Sequence, residues 1–75
     1  MPSKYEVGAR VWWQNGPEQL SGVVLEIYGY TVTKQVHEGT ITQHGSEGDP
    51  VLLIDRGGGE QELKLQSEVG PQEWT

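Results

Sequence analysis

The sequence contains three aromatic side chains and one carboxylate that together can attract a cation: Trp12, Tyr28, Tyr30 and Glu26. The face of an aromatic ring attracts a cation, and each such contact contributes about 0.5–2 kcal/mol. A carboxylate beside the rings adds an opposite charge. We therefore predict a site for a ligand or a partner at these four residues, provided that the fold brings the rings together.

The alternation of side chains along residues 9–14 predicts that Trp12 lies outside the core. Successive side chains of a strand point to opposite faces, so Val11 and Trp13 share the core face and Trp12 lies on the other. A large aromatic side chain in an exposed patch marks an interaction surface. Two other interpretations stay open: Trp12 covers a neighbouring strand, or it is buried between the subunits of a homodimer.

The sequence offers little for catalysis or metal binding. It has no cysteine, and none of its serines lies in a nucleophile-elbow pattern. His37 and His44, with Glu38, Glu47 and Asp49 nearby, match no established spacing of metal ligands. The three glycines at 57–59 lack the lysine and the strand-to-helix context of a phosphate-binding loop. We predict that the protein is not an enzyme and has no catalytic residue, metal or cofactor.

The balance of charge limits the class of partner. The 75 residues include 11 acidic and 5 basic side chains, which give a formal net charge of −6. Nucleic acids and anionic membranes are bound by clusters of lysine and arginine, whereas the basic residues here are scattered singly. The acidic surface favours a basic protein or peptide instead. Because the chain has no cysteine and no long apolar run, we predict a soluble, cytoplasmic protein.

Composition and turn signals predict an all-β domain. Eight valines and three isoleucines stand beside one alanine and one methionine, which is typical of pleated strands. The apolar residues between these turn signals predict four strands: 9–14, 21–30, 50–56 and 60–65. The third of these, the most apolar, is the best candidate for a central strand. Residues 30–33 and 40–42 are two half-strands that form either a hairpin or one long excursion. A helical turn follows at 66–69, with Ser67 as its cap.

The whole pattern predicts five short antiparallel strands in a small, strongly bent barrel. Gly22 indicates a close approach of two backbones or a bend. The run at 23–25 lacks alternation, which indicates a bulge or a strand covered on both faces. We predict a disordered N-terminus at 1–4, a barrel over 5–69 and a flexible tail at 70–75.

Several short motifs resemble those of a known family. They are Val7-Gly8-x-x-Val11-x-Trp13, Ser21-Gly22-x-Val24, Asp49-Pro50-x-x-Leu53-Ile54 and Ser67-Glu68-Val69. Together they resemble the Tudor domain of hypervirulence-associated proteins, a family of small bacterial and fungal proteins. The resemblance implies a Tudor/SH3-like barrel that acts as a binding module. It also implies that Trp12, Tyr28 and Tyr30 can form an aromatic cage, with Glu26 as the anionic group.

Two functions of different class follow. The first is a non-catalytic interaction module that self-associates through its exposed aromatic side chains, as a homodimer, or binds another, basic partner. The second is an oligomeric small-ligand or enzymatic barrel, because the valine-glycine opening is similar to that of type II dihydrofolate reductases. The pore-lining Val-Gln-Ile-Tyr motif of those enzymes is absent here, where the corresponding strand begins Glu60-Gln61-Glu62-Leu63. We therefore prefer the interaction module.

Overall fold

The computed structural model describes residues 4–36 and 39–71. These residues form seven strands and one 3₁₀ turn. The strands are β1 (Arg10–Asn15), β2 (Glu18–Tyr28), β3 (Val32–Val36), β4 (Gly39–Gln43), β5 (Val51–Gly57), β6 (Glu60–Leu65) and β7 (Gly70–Pro71), and the turn is Gln66–Glu68. The predicted all-β class is therefore confirmed. None of the described residues forms a helix of the length and apolarity that a membrane span requires.

The strands form two separate antiparallel sheets. Five of them pair in the order β6-β5-β2-β1-β7, and β3 pairs with β4 alone. The prediction of a five-stranded barrel is confirmed only in its all-β class. The described residues form seven strands, and the edge strands β6 and β7 of the larger sheet do not pair to close it. Two features account for the difference. The half-strands at 30–33 and 40–42 form a hairpin of their own, and β7 adds a two-residue strand to the edge of β1.

Glycines shape the two tight hairpins of the larger sheet. Gly16 and Pro17 connect β1 to β2, and Gly16 has φ +61°. Since proline cannot adopt positive φ, this is the arrangement of a type II′ turn. Gly58 and Gly59 connect β5 to β6 with φ +64° and +83°. Two successive positive φ values are those of a type I′ turn, so these glycines form a tight hairpin turn.

Strand β5 is buried on both faces, which explains its apolar sequence. One face contributes to the inner cluster, which consists of Tyr5, Val11, Trp13, Val24, Leu52 and Ile54. The other face contributes to the outer cluster, which consists of Val51, Leu53 and Leu63. The β3–β4 hairpin packs on the outer cluster through Val32 and Ile41. The hairpin thus supplies the second layer that the outer face of the sheet needs to exclude water.

A β-bulge in β2 sets which side chains reach the outer face. Val24 pairs with Ile54 and Glu26 pairs with Leu53, so Leu25 is the extra residue. The bulge and the two-sided burial that the sequence suggested for this segment are both present. Val24 and Tyr28 are four residues apart and would share a face in a regular strand. Because of the bulge, Val24 belongs to the inner cluster while Tyr28 packs on the outer cluster.

The predicted close approach at Gly22 is confirmed. A Cβ atom at this position would lie 2.5 Å from Cγ2 of Ile54 and 2.6 Å from the carbonyl oxygen of Asp55. The absence of a side chain therefore allows β2 and β5 to pack closely at this point.

A carboxylate joins the loop before β5 to the 3₁₀ turn after β6. The two Asp49 oxygens accept hydrogen bonds from the Ser67 amide at 2.8 Å and the Ser67 hydroxyl at 2.7 Å. The Gln66 amide donates to the carbonyl oxygen of Pro50 at 2.9 Å. Ser67 is therefore not the cap that the sequence suggested. The N-cap residue of the turn is Leu65, whose amide donates a hydrogen bond to the Glu68 carboxylate.

Candidate interaction site

Tyr28 and Tyr30 form an aromatic pair at the end of β2. Their ring centroids are 5.6 Å apart, and the ring planes meet at 61°, an edge-to-face arrangement. Tyr28 packs on the outer cluster, whereas Tyr30 is 62% exposed. The first ring is thus anchored by the core, and it holds the second ring in position at the surface.

Glu26 places a carboxylate beside this pair. It lies two residues before Tyr28 on the same face of β2 and is exposed. A hydrogen bond with Glu26 raises the pKa of the Tyr28 hydroxyl above its ordinary value, and partial burial and the negative charge of Glu26 add to the shift. The Tyr28 hydroxyl therefore remains a neutral donor at neutral pH. One carboxylate has about four acceptor sites, so Glu26 keeps the capacity to bind a further donor.

Glu47 approaches the tyrosines from a different segment. A Cβ atom at Gly29 would lie 3.8 Å from both Cα and Cγ of Glu47, so the loop before β5 passes directly beside the residue between the two tyrosines. A mutual pair of backbone hydrogen bonds between Ser46 and Asp49, of 3.1 and 3.2 Å, closes the turn that contains Glu47. Sequence reasoning named Glu47 only as a carboxylate near the two histidines and did not place it beside the tyrosines. The only available signal was the glycine between the tyrosines, which leaves room for a second segment.

Trp12 lies elsewhere in the sheet. It is half-buried, and its indole nitrogen lies 3.0 Å from where a Cβ atom of Gly70 would be. In the β1–β2 pairing Trp12 lies opposite Ser21. Ser21 precedes Tyr28 by seven residues along β2. Seven residues of extended strand span roughly 23 Å. The structure therefore brings together Tyr28, Tyr30 and Glu26 but places Trp12 over β7, as in the interpretation that Trp12 covers a neighbouring strand.

One of the two histidines, His44, lies beside the tyrosines, next to the residue that follows Tyr30. His44 is exposed, and its Nδ1 lies 3.4 Å from the hydroxyl of Thr31. His37 and Trp74 lie outside the described residues. Within the described ranges, no group of three or more histidine, aspartate and glutamate side chains is placed to hold a metal ion, and no pocket is found. The chemistry that this surface offers is the attraction of cations to tyrosine rings and carboxylates.

Comparisons with known proteins identify a family but no individual relative. A search of curated proteins and a search of solved structures each found no match. Nothing in the comparisons or in the described structure supports the reductase-like alternative, which stays an untested prediction. The family model of the Tudor domain of hypervirulence-associated proteins matches residues 8–69. This range includes all the motifs on which the resemblance rested, apart from Val7 at its edge. The chain belongs to the family of hypervirulence-associated proteins with a Tudor domain.

Proposed function

We propose that the protein is a non-catalytic interaction module whose contact surface is centred on Tyr28 and Tyr30, with Glu26 beside them. The Tudor domain is typically an interaction fold without catalytic activity. The observation on which the proposal rests is the exposure of Tyr30 beside Tyr28. Its ring stands 62% exposed against a tyrosine that the core holds in place. Rigid, partly exposed aromatic side chains contribute large contact areas at low entropic cost.

The charge of the protein suggests the chemistry of the partner. The formal net charge is −6. Glu26, two residues before Tyr28, and Glu47, beside Gly29, carry the same sign. Two of the basic residues are engaged elsewhere. Arg56 lies 3.5 and 3.9 Å from Glu62 and Glu60, and Lys4 lies 5.7 Å from the centre of the Tyr5 ring. A basic peptide complements such a surface and associates faster because of it. We therefore propose a basic protein or peptide as the partner.

Titration with a lysine-containing peptide tests the proposed site. Tyr30→Ser removes the exposed ring without opening the core, and it is expected to weaken binding by about two- to thirtyfold if the ring contributes roughly 0.5–2 kcal/mol. Val7→Ser is the matched control, because Val7 is equally exposed, at 65% against 62%. The proposal fails if wild type does not bind, or if the two variants lose the same affinity.

Self-association through the same tyrosines is a second form of the proposal. The observation that favours it is again Tyr30, because a ring buried across a two-fold axis would shield an exposed apolar surface. Light scattering at about 100 μM, well above a micromolar Kd, is expected to give the mass of a homodimer, and Tyr30→Ser to give that of a monomer. A wild-type monomer at this concentration would exclude a homodimer of micromolar affinity and leave a heterologous partner.

A further inference from the structure

We infer that Asn15 is a site of spontaneous deamidation, at which the side-chain amide is converted to aspartate and isoaspartate through a cyclic imide. The inference is independent of the proposed interaction site, which lies at the other end of β2. Asn15 is the only asparagine in the sequence. Gly16 follows it directly, in the turn between β1 and β2. Water is the co-reactant and ammonia is the product released, so the reaction needs no enzyme and no cofactor.

The reaction joins two neighbouring groups of the chain. The amide nitrogen of Gly16 loses its proton to hydroxide and attacks Cγ of Asn15. A C–N bond forms, and the side-chain amide leaves as ammonia. Water then opens the imide at either carbonyl. Attack at Cγ leaves a normal aspartate, whereas attack at the main-chain carbonyl leaves isoaspartate, in which the chain runs through the former side chain. Each conversion consumes one water and releases one ammonia, and nothing is oxidised or reduced.

The structure leaves both reacting groups unengaged. Asn15 and Gly16 are exposed. Among the residues that the structure describes, neither the Asn15 side-chain amide nor the Gly16 amide nitrogen has a hydrogen-bond partner. A Cβ atom at Gly16 would have no heavy atom within 4 Å, so the turn is open to water. The side-chain amide of Gln14 differs, because it donates to the carbonyl oxygen of Gly16 at 3.3 Å.

One contact slows the reaction without preventing it. Asn15 is the last residue of β1 and pairs with Glu18, and closure of the imide requires its main chain to leave the extended conformation. This pair is exposed and stands at the end of the hairpin, where local opening costs little free energy. We expect the folded protein to react more slowly than the unfolded chain by less than about a hundredfold. A reaction that required global unfolding would be slower by at least about a thousandfold.

Incubation of the chain at mildly alkaline pH, in buffer and in concentrated urea, tests the inference. Peptide mass spectrometry follows the exchange of amide for acid at Asn15 and at Gln14. Methylation by an isoaspartate-specific carboxyl methyltransferase measures the isoaspartate. We expect both products at Asn15 in both samples, and an unchanged Gln14. Asn15→Gln is the matched control and should form no isoaspartate, because its longer side chain closes a larger ring more slowly.

The isoaspartate product should also weaken the hairpin. It inserts an extra main-chain atom directly before a tight turn, so the pairing with Glu18 is lost. Asn15→Asp carries the same charge on an unaltered main chain. The separated isoaspartate form is therefore expected to unfold at a lower urea concentration than Asn15→Asp. Equal midpoints would contradict the altered turn.

Two further results would overturn the inference. One is a folded protein in which Asn15 reacts more than about a hundredfold more slowly than in urea, since the fold would then protect the site. The other is conversion without isoaspartate, because direct hydrolysis of the side-chain amide gives aspartate alone.

Discussion

Removal of the Asp49 carboxylate should destabilise the domain, because this group joins two segments far apart in sequence. Asp49→Ala deletes the acceptors of two hydrogen bonds from Ser67, of 2.8 and 2.7 Å. Hydrogen bonds to charged groups contribute about 1.5–3 kcal/mol each when well shielded. Since Ser67 is exposed and Asp49 half-buried, we take the lower end and expect a total loss of roughly 2–3 kcal/mol.

A loss of this size is easily measured in so small a protein. A domain of 75 residues has a free energy of unfolding of about 4–11 kcal/mol, and each kcal/mol shifts Tm by about 4–8 °C. Urea unfolding followed by tryptophan fluorescence gives the change directly, because buried Trp13 reports on the inner cluster. Ser67→Ala removes only the hydroxyl bond and is expected to cost about 1 kcal/mol.

The double variant with Asp49→Ala and Ser67→Ala separates the hydrogen bond between these two side chains from the other effects of each substitution. Once Ser67 has lost its hydroxyl, Asp49→Ala removes one bond fewer, so the two changes should be less than additive by about 0.5–1 kcal/mol. Glu18→Ala is the control, and as an exposed substitution it should stay within about 0.5 kcal/mol of wild type. If Asp49→Ala lowers the free energy of unfolding as little as this control does, the carboxylate does not hold the turn and the reasoning is refuted.

Three further predictions concern other parts of the fold. Gly22→Ala should cost about 1–3 kcal/mol in urea unfolding, because its methyl group would lie 2.5 Å from Cγ2 of Ile54; a change below about 0.5 kcal/mol would contradict the close approach. Gly58→Asn should be nearly neutral and Gly58→Val clearly destabilising by thermal unfolding, because asparagine accepts the φ of +64° and a β-branched residue does not; equal stabilities would argue against the turn type. Glu26→Gln should lower the pKa of Tyr28 in an absorbance titration of tyrosinate, since Glu26 raises it through a hydrogen bond and its charge; an unchanged titration would refute that contact. As the raised pKa belongs to the folded state, its contribution to stability is present below pH 10.0 and lost as the pH rises through the folded value.

The elements of the larger sheet were predictable because their signals are local. The alternation around Trp13, the apolar strand at 51–57 and the glycine run each depend on neighbours in sequence, and each appears in the structure. The strand that the sequence did not predict, β7, has a different origin. β7 consists of Gly70 and Pro71, a pair of residues that normally ends an element, and only its pairing with β1 makes it a strand.

The candidate site was predictable only in part, because it depends on contacts between distant segments. Tyr28, Tyr30 and Glu26 lie close in sequence, so their proximity needs little more than a strand. The position of Trp12 depends on the pairing of β1 with β7, and that of Glu47 on a loop that packs beside the tyrosines. Such long-range contacts leave no periodic pattern in the sequence.

Mapping of amide chemical shifts by NMR during titration with the lysine-containing peptide tests the central claim most directly. We expect the largest changes at residues 26–31 and 45–49, where the tyrosines and the two carboxylates lie, and small changes around Trp12. Changes centred on Trp12 and β7, or no change at millimolar peptide, where even a binding free energy of about −4 kcal/mol is detected, would contradict the account.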